Sequence, residues 1–222
     1  MSLLTQNIKM KKSSQNGITV VNWTIPAFQS KTGLRTCPNA GKCAEGCYAR
    51  SGAYSFSNVL SAHEEKLALT QSETFVSEMV VDINAWLAKH KVNRLEVRIH
   101  DAGDFYSLEY FKKWIAIMNH FKTESRVTFY AYSKQVKMVK DFGPLPTSFR
   151  VIFSFGGKQD HLIDVNKDFH SRVFESLVDL VDAAYSNGTL DDRIASSGLN
   201  NKIGLVYHGV KNFENTSWDK VA

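Results

Sequence analysis

No apolar run in this 222-residue sequence approaches the length of a membrane-crossing helix. The opening stretch, Met1-Ser-Leu-Leu-Thr-Gln-Asn-Ile-Lys-Met-Lys-Lys12, lacks the charge-then-apolar order of a secretory signal. Only four prolines and 13 glycines occur, which argues against a disordered tract. There is no Walker loop, no Ser-His-Asp order, no paired-histidine zinc motif and no internal repeat. Long basic runs are missing too. Lys and Arg number 27 against 22 Asp and Glu, and the net charge of +5 reads as a solvated surface in preference to a nucleic-acid partner. A soluble, cytosolic protein is expected, with one substantial domain and no membrane partner.

Cysteine is scarce as well, and its scarcity is informative. The three cysteines all lie in Cys37-Pro-Asn-Ala-Gly-Lys-Cys43-Ala-Glu-Gly-Cys47. An odd count argues against a closed disulfide set. Thiolates gathered on one loop form a soft, anionic ligand set suited to iron–sulfur clusters, zinc or copper(I). The Cys-x5-Cys-x3-Cys spacing is wider than a zinc knuckle, which favours two to four intervening residues and four ligands. A four-iron cluster on three cysteines leaves one iron for another ligand.

Along the chain, residues 1–16 read as a flexible arm and 17–222 as a single domain. A strand is predicted over Ile18–Ile25, and residues 27–57 form the long cysteine-bearing connection. Residues 58 to about 90 read as helix, broken near Ser72 or Thr74. Leu95-Glu-Val-Arg-Ile-His100 alternates strictly, and Ser107 caps a helix through Met118. Further strands are predicted over 126–132, 149–155 and 203–208, with a short helix near 135–140 and a long one over about 170–185 ended by Asn187-Gly188. Alternating strands and helices imply parallel pairing, and strands apolar on one face only imply a TIM-barrel-like or partial (β/α) barrel. The three-cysteine loop then follows the first strand, at the rim where such folds build sites.

The expected lumen holds Glu96, Arg98, His100, Thr128, Tyr130, Tyr132, Ser154 and His208. His100, Asp101, Asp104, Lys134 and His208 are candidate catalytic groups. Arg98, His100, Gly103, Asp104, Tyr132, Ser154, Gly156 and Gly157 are candidate cofactor contacts, and Cys37, Cys43 and Cys47 the metal ligands. Gly103 could let a ligand approach the backbone, while Asp104 equally suits a turn ahead of the Ser107 helix. Gly156-Gly157 could cradle an anion with backbone N–H groups. His63 is a candidate fourth zinc ligand.

Three blocks, Cys37-Pro-x4-Cys43-x3-Cys47-Tyr-Ala49, Arg98-x-His-x2-Gly-Asp-Phe105 and Lys202-Ile-Gly-Leu-Val-Tyr-His-Gly209, resemble the phage-encoded gene product eighty-eight family across most of residues 18–211. The resemblance implies a viral protein in the host bacterial cytoplasm with an iron–sulfur centre. There is also an architectural likeness to radical S-adenosylmethionine enzymes, although their usual Cys-x3-Cys-x2-Cys spacing and glycine-glycine-glutamate segment are replaced here. The expected function is a protein binding one [4Fe–4S] cluster, its open iron facing a polar lumen for redox or small-molecule chemistry with a small molecule or electron donor. The alternatives are a zinc-stabilised, non-catalytic binding protein and a radical S-adenosylmethionine enzyme.

Overall fold

Leu95, Val97 and Ile99 leave their strand on one side, Glu96 and Arg98 on the other, and that division sets the architecture. A computed structural model of the protein describes residues 2–89 and 92–208. The strands are β1 (Ile18–Trp23), β2 (Arg94–Ile99), β3 (Val127–Ser133), β4 (Phe149–Ser154), β5 (His170–Phe174), β6 (Ser186–Asn187) and β7 (Lys202–Val206). They form one sheet in the order β1-β2-β3-β4-β5-β7-β6, parallel at every pairing and curled into a half-barrel.

The helices are α1 (Ile8–Ser13), α2 (Ser57–Gln71), α3 (Phe75–Leu87), α4 (Leu108–His120), α5 (Val136–Phe142), α6 (Leu177–Asp182) and α7 (Arg193–Ser197). On the convex face, Phe75, Met79 and Ile83 of α3 and Phe111, Trp114 and Met118 of α4 close over Val97, Ile99, Phe129 and Val151. Each large side chain fully removed from water there contributes roughly 1.5–3 kcal/mol. As expected, Ser107 caps α4: its hydroxyl accepts from the Tyr110 N–H at 3.1 Å.

The concave face is closed in a way the sequence did not suggest. The first residues, expected as a flexible arm, are tied down. Thr5 and Asn22 exchange backbone hydrogen bonds at 3.0 and 2.8 Å, which covers the free edge of β1. Leu4 is fully buried, and its N–H donates to Asp82 at 2.8 Å. The Asn7 side chain caps α1, and α1 carries Met10 into the half-barrel against Val20, Tyr130, Ile152, Ala195 and Ile203. Six residues are too few for a self-supporting helix, so this packing holds α1 in place.

The long helix expected over 170–185 is instead a strand followed by a short helix. His170 to Phe174 ladders with β7 along its whole length and meets β4 at Phe153↔His170 and Ser154↔Ser171. Val173, Phe174, Leu177, Leu180 and Val181 do fit helical spacing. Two backbone ladders outweigh that weak preference for the first part. Ser176 and Asp179 then form a capping box that begins α6. The left-handed residue just past α6 is Ala184, with φ of 58°, and Asn187 belongs to β6. The expected helix end at His90 and the turn at Gly209 lie outside the described residues.

Candidate functional site

The cysteine loop is laid across the C-terminal ends of β2, β3 and β4 by backbone contacts. Cys37 N–H donates to Phe28 O at 3.3 Å, and Ala40 N–H returns to Cys37 O at 3.1 Å, a turn with Pro38 at its second position. Gly41 and Cys43 N–H groups both donate to Gly156 O, at 3.2 and 3.1 Å, and Ala40 bridges Gly157. A Cβ on Gly41 would stand 3.0 Å from Gly156 O, and one on Gly157 would stand 3.0 Å from Asn39 O. A side chain at 41 or 157 would therefore force two closely packed backbones apart by a few tenths of an ångström. The expected anion cradle at Gly156-Gly157 is filled from within: both N–H groups donate to the Asp160 carboxylate at 2.8 Å.

Asp104 performs the matching task between β2 and β3. Its carboxylate accepts from Phe105 N–H at 2.7 Å, Ser133 Oγ at 2.7 Å and Lys134 N–H at 2.9 Å, and its own N–H donates to Thr36 O at 2.9 Å. Burial raises its pKa while these donors pull the other way. Through these bonds Asp104 joins three chain segments, ahead of the Ser107 helix. Gly103, with φ of 84°, lies so close to Ile25 that any Cβ would collide with Ile25 Cγ1. The close neighbour at Gly103 is the chain itself.

These latches enclose a cavity of about 190 Å³ lined by Cys37, Cys43 and Cys47 together with Tyr48, Arg98, Asp101, Tyr132, Lys134, Ser154 and His208. Burial, with Asp104 adding to it, pushes the Cys37 thiol up to about 12, and burial raises Cys47 too. Such thiols stay protonated near neutral pH unless a metal cation draws the protons off. Burial alone would lower Lys134, but Cys43, Asp104 and Cys37 around it carry its pKa above the ordinary lysine value. Its ammonium donates to Ser154 Oγ at 2.9 Å. Among the described residues no three His, Cys, Asp or Glu side chains converge as the ligands of a single ion do.

The lumen beneath this cavity is an ion network. Arg98 meets Asp192 at 2.7 Å and Asp101 at 3.5 Å, and lies over the Tyr132 ring at 5.1 Å. Lys9 from α1 reaches the other Asp192 oxygen at 2.6 Å, and Tyr130 donates to Asp192 at 2.9 Å. Asp101 also accepts from Asn7 at 2.8 Å and from Tyr54. Glu96 pairs with Arg94 at 3.1 Å, as internal charges must. Sequence reasoning missed Lys9, Asn7, Tyr54 and Asp192, because their segments are remote in the chain and carry no motif. Tyr48, next to Cys47, was a signal within reach: its hydroxyl donates to Asp101 O at 2.5 Å and ties the cysteine loop to β2.

A family model described as Gene product 88 matches residues 1–200. The chain belongs to the gene product 88 family. The matched range contains the cysteine loop and the Gly103-Asp104-Phe105 block. A Mycobacterium phage D29 protein described as "Gene 88 protein" is 36% identical over 106 residues, covering 45% of this chain and 42% of that protein. The chain thus spans about two-fifths of that relative's length. No solved structure matches this gene product 88 chain. Among its described residues no helix is long and apolar enough to cross a membrane.

His100 departs from the expected lumen position. Its φ of 67° breaks the strand alternation, and its ring packs against Phe105 and Tyr110, with Nε2 2.9 Å from Tyr110 Oη. Burial, with Arg98 nearby, lowers its pKa to about 3. An unfolded histidine titrates near 6.5, so on acidification the unfolded chain takes up this proton first. The His100 contribution is whole above about pH 6.5 and is lost as pH falls toward 3, on the order of 3–5 kcal/mol over that window. Urea midpoints should therefore decline between pH 7 and pH 4. The decline should be shallower in His100→Asn, because asparagine takes up no proton and tolerates the left-handed backbone. Equal slopes would show that His100 is not the titrating group.

Proposed function

We propose that this gene product 88 protein holds one [4Fe–4S] cluster through Cys37, Cys43 and Cys47, and presents the iron that lacks a cysteine to a small ligand. The observation that carries this reading is that all three cysteines line one cavity at the strand ends. A cluster takes each thiolate on a different iron, so it does not need the convergence on one point that a zinc ion at about 2.3 Å from each sulfur demands. Bound there, the cluster would supply one-electron transfer and a Lewis-acidic iron. The chain's own side chains support this reading. Lys134 sets a positive charge beside the thiolates, which offsets their accumulated negative charge. Asp104, Gly156 and Tyr48 hold the loop in position, and the Arg98–Asp192 network lies beneath it. The working place is an infected bacterial cell, as the phage relative suggests.

The volume favours a small ligand over S-adenosylmethionine. About 190 Å³ is below the roughly 300–1,000 Å³ typical of sites for drug-sized molecules, and a cluster would take part of it. The glycine-containing turns expected to meet such a cofactor already press on Ile25 and Asn39.

Anaerobic purification with iron, zinc and acid-labile sulfide assays tests the reading. About four irons and four sulfides per chain are expected, with a broad absorption band that bleaches on reduction. Cys43→Ala should lose the cluster. One zinc and no sulfide, or a Cys43→Ala protein still fully loaded, would remove the three-cysteine cluster.

A further inference from the structure

We propose that His208 is the fourth ligand, binding through its imidazole the iron that no cysteine reaches. The assignment rests on the cluster reading above and adds to it a residue beyond the range matched by the family model.

Elimination among the cavity's own side chains leads to it. Asp104 has its oxygens committed to three donors, and Asp101 to Asn7, Tyr54 and Arg98. His100 borders the cavity but offers it no nitrogen: Nε2 is bonded to Tyr110, and Nδ1 is buried with no accessible surface. His63, the fourth ligand expected from sequence for zinc, lies against the Tyr54 ring and does not line the cavity.

His208 differs in each respect. It lines the cavity with the three cysteines, it is exposed, and neither ring nitrogen is engaged in a hydrogen bond among the described residues. Its ring stands against Tyr48, centroids 5.4 Å apart, and Tyr48 directly follows Cys47. The strand that delivers it, β7, is anchored by its full ladder with β5. Imidazole is a suitable iron ligand beside thiolates, and replacing a thiolate by neutral imidazole raises a cluster's potential. An exposed side chain without other bonds can also leave, so the position is exchangeable with a small incoming ligand.

The test uses the full chain, purified anaerobically and reduced, with pulsed electron paramagnetic resonance on unlabelled and ¹⁵N-histidine protein. A directly bound nitrogen coupling is expected that changes with the label and vanishes in His208→Ala. His208→Ala should still fold, because the side chain is exposed, and in air it should shed its fourth iron to give a three-iron signal faster than wild type. His208→Cys should keep four irons and shift to a more negative potential. A wild-type cluster with no nitrogen coupling, or a coupling unchanged in His208→Ala, overturns the assignment alone. Wild-type protein without iron and sulfide overturns the cluster reading and this assignment with it.

Discussion

Asp192→Ala is expected to destabilise the protein by about 3–5 kcal/mol, a fall in melting temperature of roughly 6–20 °C for a chain of this size. The Asp192 side chain has no solvent exposure and is the shared counter-ion of Arg98 and Lys9. Burial would raise its pKa, but the attraction of Arg98 and Lys9 more than reverses that and holds it below the ordinary aspartate value. Without it, Arg98 keeps only the longer contact to Asp101 at 3.5 Å. Lys9, whose pKa burial already lowers, loses its counter-ion and keeps the hydrogen bond to Gly188 O at 2.7 Å. A buried charge stripped of its partner is the costly case, whereas replacing a whole network with apolar groups is often neutral. Asp192→Asn preserves shape and should cost nearly as much, because the missing feature is charge. A depressed carboxylate stabilises fully above its unfolded pKa, near 3.9, and loses that contribution as pH falls through the lower folded value. The Asp192 variants should thus be weaker already at pH 7 and should track the wild-type slope from pH 6.5 to 4, where His100 titrates. Chemical denaturation at several pH values measures both effects. A midpoint within error of wild type at pH 7 would show that the network contributes little.

Gly103→Ala should be the next most damaging single change, at about 2–5 kcal/mol. Two costs combine: a left-handed backbone for a residue with a Cβ, roughly 1–2 kcal/mol, and overpacking against Ile25, roughly 1–3 kcal/mol. The neighbour cannot yield easily, since Ile25 is fully buried and its N–H donates to Ala102 O at 3.3 Å. Gly52 provides the control. Its φ is 58°, and a Cβ there would meet nothing within 4 Å, so Gly52→Ala should show the backbone cost alone. Adding Ile25→Val to Gly103→Ala should recover part of the loss, and a double-mutant cycle would read the coupling. The same change tilts the Asp101–Asp104 turn that carries the Tyr48 and Thr36 contacts. On the proposed cluster reading, iron content per folded chain should fall with it. Gly103→Ala as stable as Gly52→Ala would remove the packing half of this account.

Much of the scaffold is written in local patterns. The alternation at 95–99 and the helical spacing at 75–87 and 108–118 are local patterns, so they announced their elements, the parallel order and the rim that carries the cysteine loop. The clustering of Cys37, Cys43 and Cys47 in sequence likewise carried over into space, because residues of one short loop stay neighbours in any fold, and all three line one cavity. Contacts between distant segments emerge on folding. His170 to Phe174 became a strand because β4 and β7 both stood ready to pair with it, which helical spacing at 173–181 could not reveal. Residues 2–16 became a plug because the half-barrel offered Met10 and Lys9 a cavity and a buried Asp192. Gly103, Gly156 and Gly157 looked like places for a ligand, and the chain filled each with Ile25, Asp160 or the backbone at Asn39. A glycine in sequence states only that something comes close. Which atoms come close depends on long-range packing, and that is settled when the sheet curls.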